Sequence, residues 1–256
     1  MGSTRLPGKV MMKVRNKPLL YYVINQTLHS KKIYKTIIAT TNLLQDNKIV
    51  EFANSLGVEI YRGSELDVLD RYYKCAKKYN ADSIVRITAD CPLIDPQLID
   101  KCITEFEKNE FDYFSNINKK EGNKRIYYPN GFPLGFAVEV FTFKALEEAW
   151  KNAKKPSERE HVGKYFLSNP TLFKIGNIEN SNDYSDMRLT IDYIIDFDLI
   201  KTIIEYFPDD EIYNMEKIAQ FLNKKTQLKQ MNSHISFDQE YQKSLADNKI
   251  VEGKSN

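Results

Sequence analysis

The sequence predicts one three-layer αβα domain built on a mostly parallel sheet. Short β-prone apolar runs alternate with amphipathic helical stretches as far as Lys108, the rhythm of βαβ units. The 256 residues are 42% hydrophobic, enough for a single sizeable core, and neither an internal repeat nor a linker divides them.

Each element has its own local cause. Lys17 to Lys32 reads as a helix, with Pro18 in its first turn and Leu19, Val23, Ile24 and Leu28 along one face. Thr36 to Thr40 is a continuous β-prone run suited to a buried parallel strand. A helix from Asp46 to Leu56 stops at Gly57, and Val58 to Tyr61 is a short strand. Leu66 to Tyr79 is helical, and Ser83 to Ile87 is a second buried strand. Pro96 to Lys108 forms a helix with Asp95 placed as its N-cap. The second half is less regular. Strands at Phe111 to Phe114 and Ala137 to Phe141 flank a loop from Asn116 to Leu134. Helices follow near Thr142 to Asn152, Ser157 to Leu167, Phe197 to Tyr206 and Asn214 to Asn223. This gives a domain over 1–225 and a polar tail over 226–256, a loose helix or disorder.

Composition removes several classes of function. Thirty-seven basic residues stand against 35 acidic ones, so no broad basic field exists to hold nucleic acid. No apolar run approaches the roughly 20 residues that span a bilayer, and Met1 to Arg5 has no apolar stretch of a secretory leader. Cys75, Cys91 and Cys102 match no zinc or redox spacing and read as core thiols in a reducing compartment. The expected location is cytoplasmic, with no membrane partner.

Three segments carry chemistry. Gly2-Ser3-Thr4-Arg5-Leu6-Pro7-Gly8-Lys9 offers backbone N–H groups, hydroxyls and two cations to a polyphosphate, without Walker spacing. Arg86 to Leu93 lies at the carboxyl end of a strand, where open α/β sheets bind ligands; Asp90 there suits Mg²⁺, the plainer reading being a turn before Pro92. Arg188 to Asp192 is another short strand ending in an acid, with Asp196 and Asp198 read as starting the next helix.

Taken in order, Gly2 to Lys9, Gly63-Ser64-Glu65-Leu66-Asp67-Val68-Leu69-Asp70-Arg71-Tyr72, Val85 to Asp95 and Arg188 to Asp192 resemble the cytidylyltransferase family. The likeness runs to about residue 225. It is nearest the branch of spore-coat-polysaccharide-type nucleotidyltransferases, beside the acylneuraminate and 3-deoxy-manno-octulosonate enzymes. The resemblance implies the nucleotide-diphospho-sugar transferase (Rossmann-like) fold and transfer of CMP from CTP to an acidic sugar for polysaccharide synthesis. It implies a catalytic set of Arg5, Lys9 and Asp90, with Mg²⁺ on Asp90 and Asp192. It further implies nucleotide contacts from Ser3, Thr4, Arg5, Lys9, Gly63, Ser64, Arg71, Thr88 and Ala89. For Asp67 and Arg71, one helical turn apart, simple pairing is the plainer reading.

The segment Pro129 to Glu139 is similar to the family's acceptor region. It marks Asn130, Glu139, His161 and Arg188 for the sugar, with Glu139 alternatively an exposed strand residue. Tyr127, Tyr128 and Trp150 are read as packing. A homodimer is implied by the resemblance alone. The family's first hydrophobic strand precedes the glycine loop and is not seen before Gly2. The expectation is two exposed strand edges and a triphosphate loop left unanchored. The alternatives are another nucleotide donor, a sugar-nucleotide-dependent glycosyltransferase, or a non-catalytic nucleotide- or sugar-binding module.

Overall fold

The computed structural model describes residues 1–122, 124–128, 130–209 and 211–235. In chain order its elements are β1 (Lys13–Val14), β2 (Lys17–Pro18), α1 (Leu19–Leu28), β3 (Ile37–Thr41), α2 (Asn47–Ser55), β4 (Glu59–Gly63), α3 (Val68–Lys78), β5 (Ser83–Arg86) and α4 (Pro96–Lys108). There follow β6 (Tyr113–Ser115), β7 (Asn118–Glu121), β8 (Lys124–Tyr127), β9 (Glu139–Thr142), α5 (Phe143–Asn152), α6 (Pro156–Glu160), α7 (Gly163–Ser168), β10 (Ile175–Asn177), α8 (Ile194–Tyr206), α9 (Met215–Lys224) and α10 (Thr226–Gln230). Helix starts obey the expected capping chemistry. Asp95 accepts from Gln97 N at 2.7 Å, Asp67 from Asp70 N at 2.9 Å and Asn214 from Lys217 N at 3.1 Å.

The three-layer α/β class holds. The central sheet runs β10-β6-β9-β5, with β10 parallel to β6 and β9 antiparallel to both of its neighbours, so its pairing is mixed. Side-chain alternation makes it the middle layer. Phe114 and Val140 enter a cluster with Leu98, Ile99 and Ile203, while Tyr113 and Phe141 face Leu69, Leu146 and Phe166 on the other side. A third cluster joins Leu20 and Ile24 of α1 to Ile49 and Ala53 of α2.

β3 pairs with β4 alone, in parallel, and forms a separate two-stranded sheet. The open edges of β3 and β5 face each other across a slot of about 850 Å³. Ile37 to Ala39 line one wall and Ser83 to Ile87 the other, with Val23 and Ile24 of α1 and Tyr72 and Cys75 of α3 closing the faces. This corrects the expectation of two buried strands. Of β3 only Thr40 is buried, and Ser83 of β5 is exposed, because a strand with one free edge leaves its side chains open to the slot. The glycine loop, expected to be unanchored, is held by contacts described below.

Asp46 closes the carboxyl end of β3. It is 1% exposed, accepts from Thr40 Oγ1 at 2.7 Å and Thr41 Oγ1 at 2.6 Å, and pairs with the Met1 amine at 2.9 Å. Burial opposes its charge, but the Thr41 and Thr40 hydroxyls and the amine outweigh that and lower its pKa to about 2. A depressed folded-state pKa contributes stability above the unfolded value and loses it as pH falls through the folded one. Asp46→Asn is therefore expected to lower stability near neutral pH by about 2 kcal/mol. The melting-temperature gap to the parent protein should close as pH falls from about 5 to about 2; a gap constant over that range contradicts the assignment.

Candidate active site

Two acids from distant parts of the chain meet at one ammonium group. Asp90 follows β5, and Asp192 precedes α8. Their segments are stitched together by backbone, since Ile191 N donates to the Asp90 carbonyl at 3.0 Å and Thr190 Oγ1 to the same oxygen at 3.3 Å. Lys9 Nζ lies 3.0 Å from Asp90 Oδ2 and 2.9 Å from Asp192 Oδ1, and donates to the Ile191 carbonyl at 2.5 Å. Burial disfavours the Lys9 charge, but the two carboxylates more than compensate and raise its pKa. Both acids are held below the usual carboxylate range. Burial pushes each upward, while Lys9 pulls Asp90 down and Lys9, Arg5 and Arg188 pull Asp192 down.

A second layer fixes Asp192. Arg5 Nη2 reaches its Oδ1 at 2.7 Å, and the Arg5 guanidinium lies over the Tyr193 ring, 5.2 Å from its centroid. Arg188 Nη2 donates to Asp192 Oδ2 at 2.7 Å, and Arg188 Nε to Asp196 Oδ1 at 3.0 Å. Asp196, fully buried, also accepts from the Asp192 and Tyr193 N–H groups at the start of α8. That bears out its reading as a helix-starting acid and adds a role in orienting Arg188. Asn232 completes the layer, donating to the Arg188 carbonyl at 2.9 Å and to Asp196 Oδ1 at 2.7 Å. Residues 226–235 of the presumed tail thus begin with a helix and support the site; 236–256 lie outside the described residues.

From the acids a cavity of about 320 Å³ extends to a buried network at its far end. Arg86 and Glu139 sit directly opposite in the β5–β9 pairing and form an ion pair, and Tyr113 donates to Glu139 Oε1 at 2.7 Å. Glu139 is 3% exposed, which overturns the exposed-strand alternative. The backbone of α7 passes so close that a Cβ at Gly163 would overlap the Glu139 carboxylate. Across the cavity, Gly135 adopts φ +108° where Leu134 bridges to Arg188, and a Cβ there would strike the Leu189 carbonyl. His161, Thr88, Arg188, Lys164 and Tyr127 also line the cavity. Trp150, read as packing, stacks on Tyr73 with centroids 4.1 Å apart and donates to Asp70 at 2.8 Å.

The structure separates the remaining candidates. Ala89 packs in the third cluster beside Met1. Ser3 Oγ accepts from Leu6 N at 3.3 Å and shapes the glycine loop, while Thr4 is exposed. Gly63, Ser64 and Arg71 lie together at the end of β4, where Arg71 Nη1 donates to the Ser64 carbonyl at 2.6 Å and Arg71 lines the slot. Asp67 does not pair with Arg71, correcting that reading. It is clamped by Arg159, whose Nε lies 3.0 Å from both carboxylate oxygens. Asn130 is away from the cavity. It is buried at φ +49° and its amide donates to the Asn118 carbonyl, a turn-holding role. Pro129 lies outside the described residues. All three cysteines are buried free thiols, as expected.

The family model described as cytidylyltransferase matches residues 1–245. The chain belongs to the cytidylyltransferase family. Over 238 residues it is 43% identical to the uncharacterized protein MJ1063 of Methanocaldococcus jannaschii, covering 91% of each chain. It is 29% identical over 231 residues to the spore coat polysaccharide biosynthesis protein SpsF of Bacillus subtilis, covering 88% of this chain and 91% of that one. To the 3-deoxy-manno-octulosonate cytidylyltransferase of Solibacter usitatus it is 29% identical over 205 residues, with 73% and 77% covered. A solved cytidylyltransferase of Leptospira borgpetersenii is 33% identical and superposes with a TM-score of 0.82 over 90% of this chain and 93% of that one. This cytidylyltransferase is therefore a nucleotidyl-transferring enzyme, and among its described residues no helix is long and apolar enough to cross a membrane.

Among the described residues no cluster of three or more Asp, Glu, His or Cys side chains could hold a metal. The Asp90–Asp192 pair nevertheless fits Mg²⁺, which takes one or two carboxylates and completes its shell with water and phosphate oxygens. The Lys9 ammonium between them is a cation already standing in that position.

Proposed function

We propose that this cytidylyltransferase transfers CMP from CTP to an acidic sugar, releasing pyrophosphate. The observation that carries the reading is the convergence of Asp90 and Asp192 on one cation position at the mouth of a cavity whose other end is Glu139 and Arg86. Asp90 and Asp192 would hold Mg²⁺, which when bound supplies charge neutralisation on the phosphates. Arg5 and Lys9 stand at the same point to meet triphosphate oxygens. The acceptor's hydroxyl oxygen forms a bond to the α-phosphorus, the bond to the β-phosphate oxygen breaks, and the hydroxyl proton leaves to solvent. No side-chain nucleophile is required.

An acidic acceptor suits the cavity's charge. Arg5, Arg86, Lys164 and Arg188 line it against Asp90, Glu139 and Asp192, four cations to three carboxylates among the described residues. The 3-deoxy-manno-octulosonate enzyme among the relatives supports the same class. The test is pyrophosphate release with Mg²⁺, offering CTP, UTP, ATP and GTP against acidic sugars and neutral sugar phosphates. Release that needs CTP and an acidic sugar is expected. Release with another nucleotide, or with neutral acceptors alone, overturns the reading.

A further inference from the structure

Lys9 occupies the point that a metal ion on Asp90 and Asp192 would need. Its nitrogen is 3.0 Å from one carboxylate and 2.9 Å from the other. A magnesium ion draws its oxygen ligands in to roughly 2.0–2.1 Å, so an ion placed between these two oxygens would crowd and repel the Lys9 ammonium now standing there. Charge leads to the same conclusion. Arg5, Lys9 and Arg188 face Asp90, Asp192 and Asp196, three cations against three carboxylates in one partly buried cluster. A divalent ion added with Lys9 in place would leave two uncompensated positive charges in a poorly solvated site. With Lys9 withdrawn onto a polyanion, the same ion leaves an excess of only one positive charge, which the polyanion beside it offsets. Lys9 can make this move through its side chain alone. It begins a single 3₁₀ turn, Lys9–Met11, behind Gly8 at φ 73°, and its stem is only partly buried.

We infer that Lys9 is an internal substitute for the metal. The divalent cation gains the Asp90–Asp192 position only when an incoming triphosphate draws the Lys9 ammonium away, so nucleotide and metal load together. This rests on the nucleotide reading above and adds to it an exclusion between one residue and the metal.

The test is Mn²⁺ binding followed by electron paramagnetic resonance, with the full chain, its Lys9→Met and Lys9→Ala variants, and Lys9→Met/Asp192→Asn. Without nucleotide, both Lys9 variants are expected to bind Mn²⁺ at least about 10-fold more tightly than the parent chain, which is one unit of binding-constant exponent. The double variant should lose that gain. CTP should bring the parent chain's affinity up toward that of the variants. Thermal melts give a second readout, because Mn²⁺ should raise the melting temperature of Lys9→Met more than that of the parent. Equal nucleotide-free affinity in the parent and both variants overturns the exclusion, while leaving Asp90 and Asp192 as metal ligands if CTP-dependent Mn²⁺ binding falls in Asp192→Asn. Absence of Mn²⁺ binding in every protein, with or without CTP, overturns the metal position itself.

Discussion

Asp90→Asn is expected to lower the rate of CTP-dependent pyrophosphate release by about 10³-fold or more, equivalent to at least about 4 kcal/mol of transition-state stabilisation. Asp90 is the cleaner of the two acids to replace. Asp192 also holds Arg5 and Arg188, so removing its charge would disturb the whole cluster. The Asp90 side chain meets Lys9, the Thr88 hydroxyl and the neighbouring Cys91 thiol, while its backbone carbonyl, which a substitution leaves intact, does the joining to Ile191 and Thr190. The variant should therefore stay folded, with a melting temperature lowered by loss of the Lys9 pair, and lose turnover in the folded protein. Steady-state rates beside a thermal melt separate these effects, and near-parental turnover would remove Asp90 from the metal position.

Arg86→Met is expected to be the most damaging single change to stability, costing about 3–5 kcal/mol, or on the order of 10 °C in melting temperature for a chain of this size. Glu139 is almost completely buried, and without Arg86 its carboxylate would lose its ion-pair partner while keeping the Tyr113 hydroxyl. The loss comes from stranding a charge rather than from forfeiting an attraction. The pair variant Arg86→Met/Glu139→Gln should accordingly recover most of the stability, since a neutral amide can still accept from Tyr113. A double variant no more stable than Arg86→Met would show that the arginine acts through packing instead. If Glu139 also contacts the acceptor, the recovered protein should show a raised KM for the sugar and an unchanged KM for CTP.

Much of this was legible in the sequence because it is local. The helix start at Asp95 follows from side-chain capping within three residues. Asp90 could be marked as an acid past the end of a strand; Asp192 could be marked in the same way, although 188–192 makes only a bridge from Leu134 to Arg188 and no strand. What stayed hidden depends on register and on long-range closure. That Arg86 faces Glu139 is a fact about how β5 slides against β9, which no local pattern encodes. The Asp67 partner, 92 residues away in Arg159, illustrates the same limit, since helical spacing pointed to Arg71 instead. Asn232 gave no signal at all. It lies in polar sequence, and only the folded chain brings it under Arg188 and Asp196.

The slot between β3 and β5 gives the molecule a seam. A continuous sheet transmits order sideways through its backbone ladder, and here that ladder is interrupted. The unit formed by β3, α2 and β4 is held to the rest by side-chain packing of α1 and α3 and by the contacts of Met1. Side-chain contacts of this kind are a weaker coupling than a backbone ladder, so this unit is a candidate foldon, able to loosen while the sheet bearing Glu139 stays intact. The seam also runs through the chemistry. Gly63 and Ser64 stand on one bank and Lys9, Asp90 and Asp192 on the other, with Arg71 of α3 reaching the Ser64 carbonyl. A nucleotide touching both banks would act as a mechanical tie, and substrate binding and the cooperativity of the fold would become one quantity.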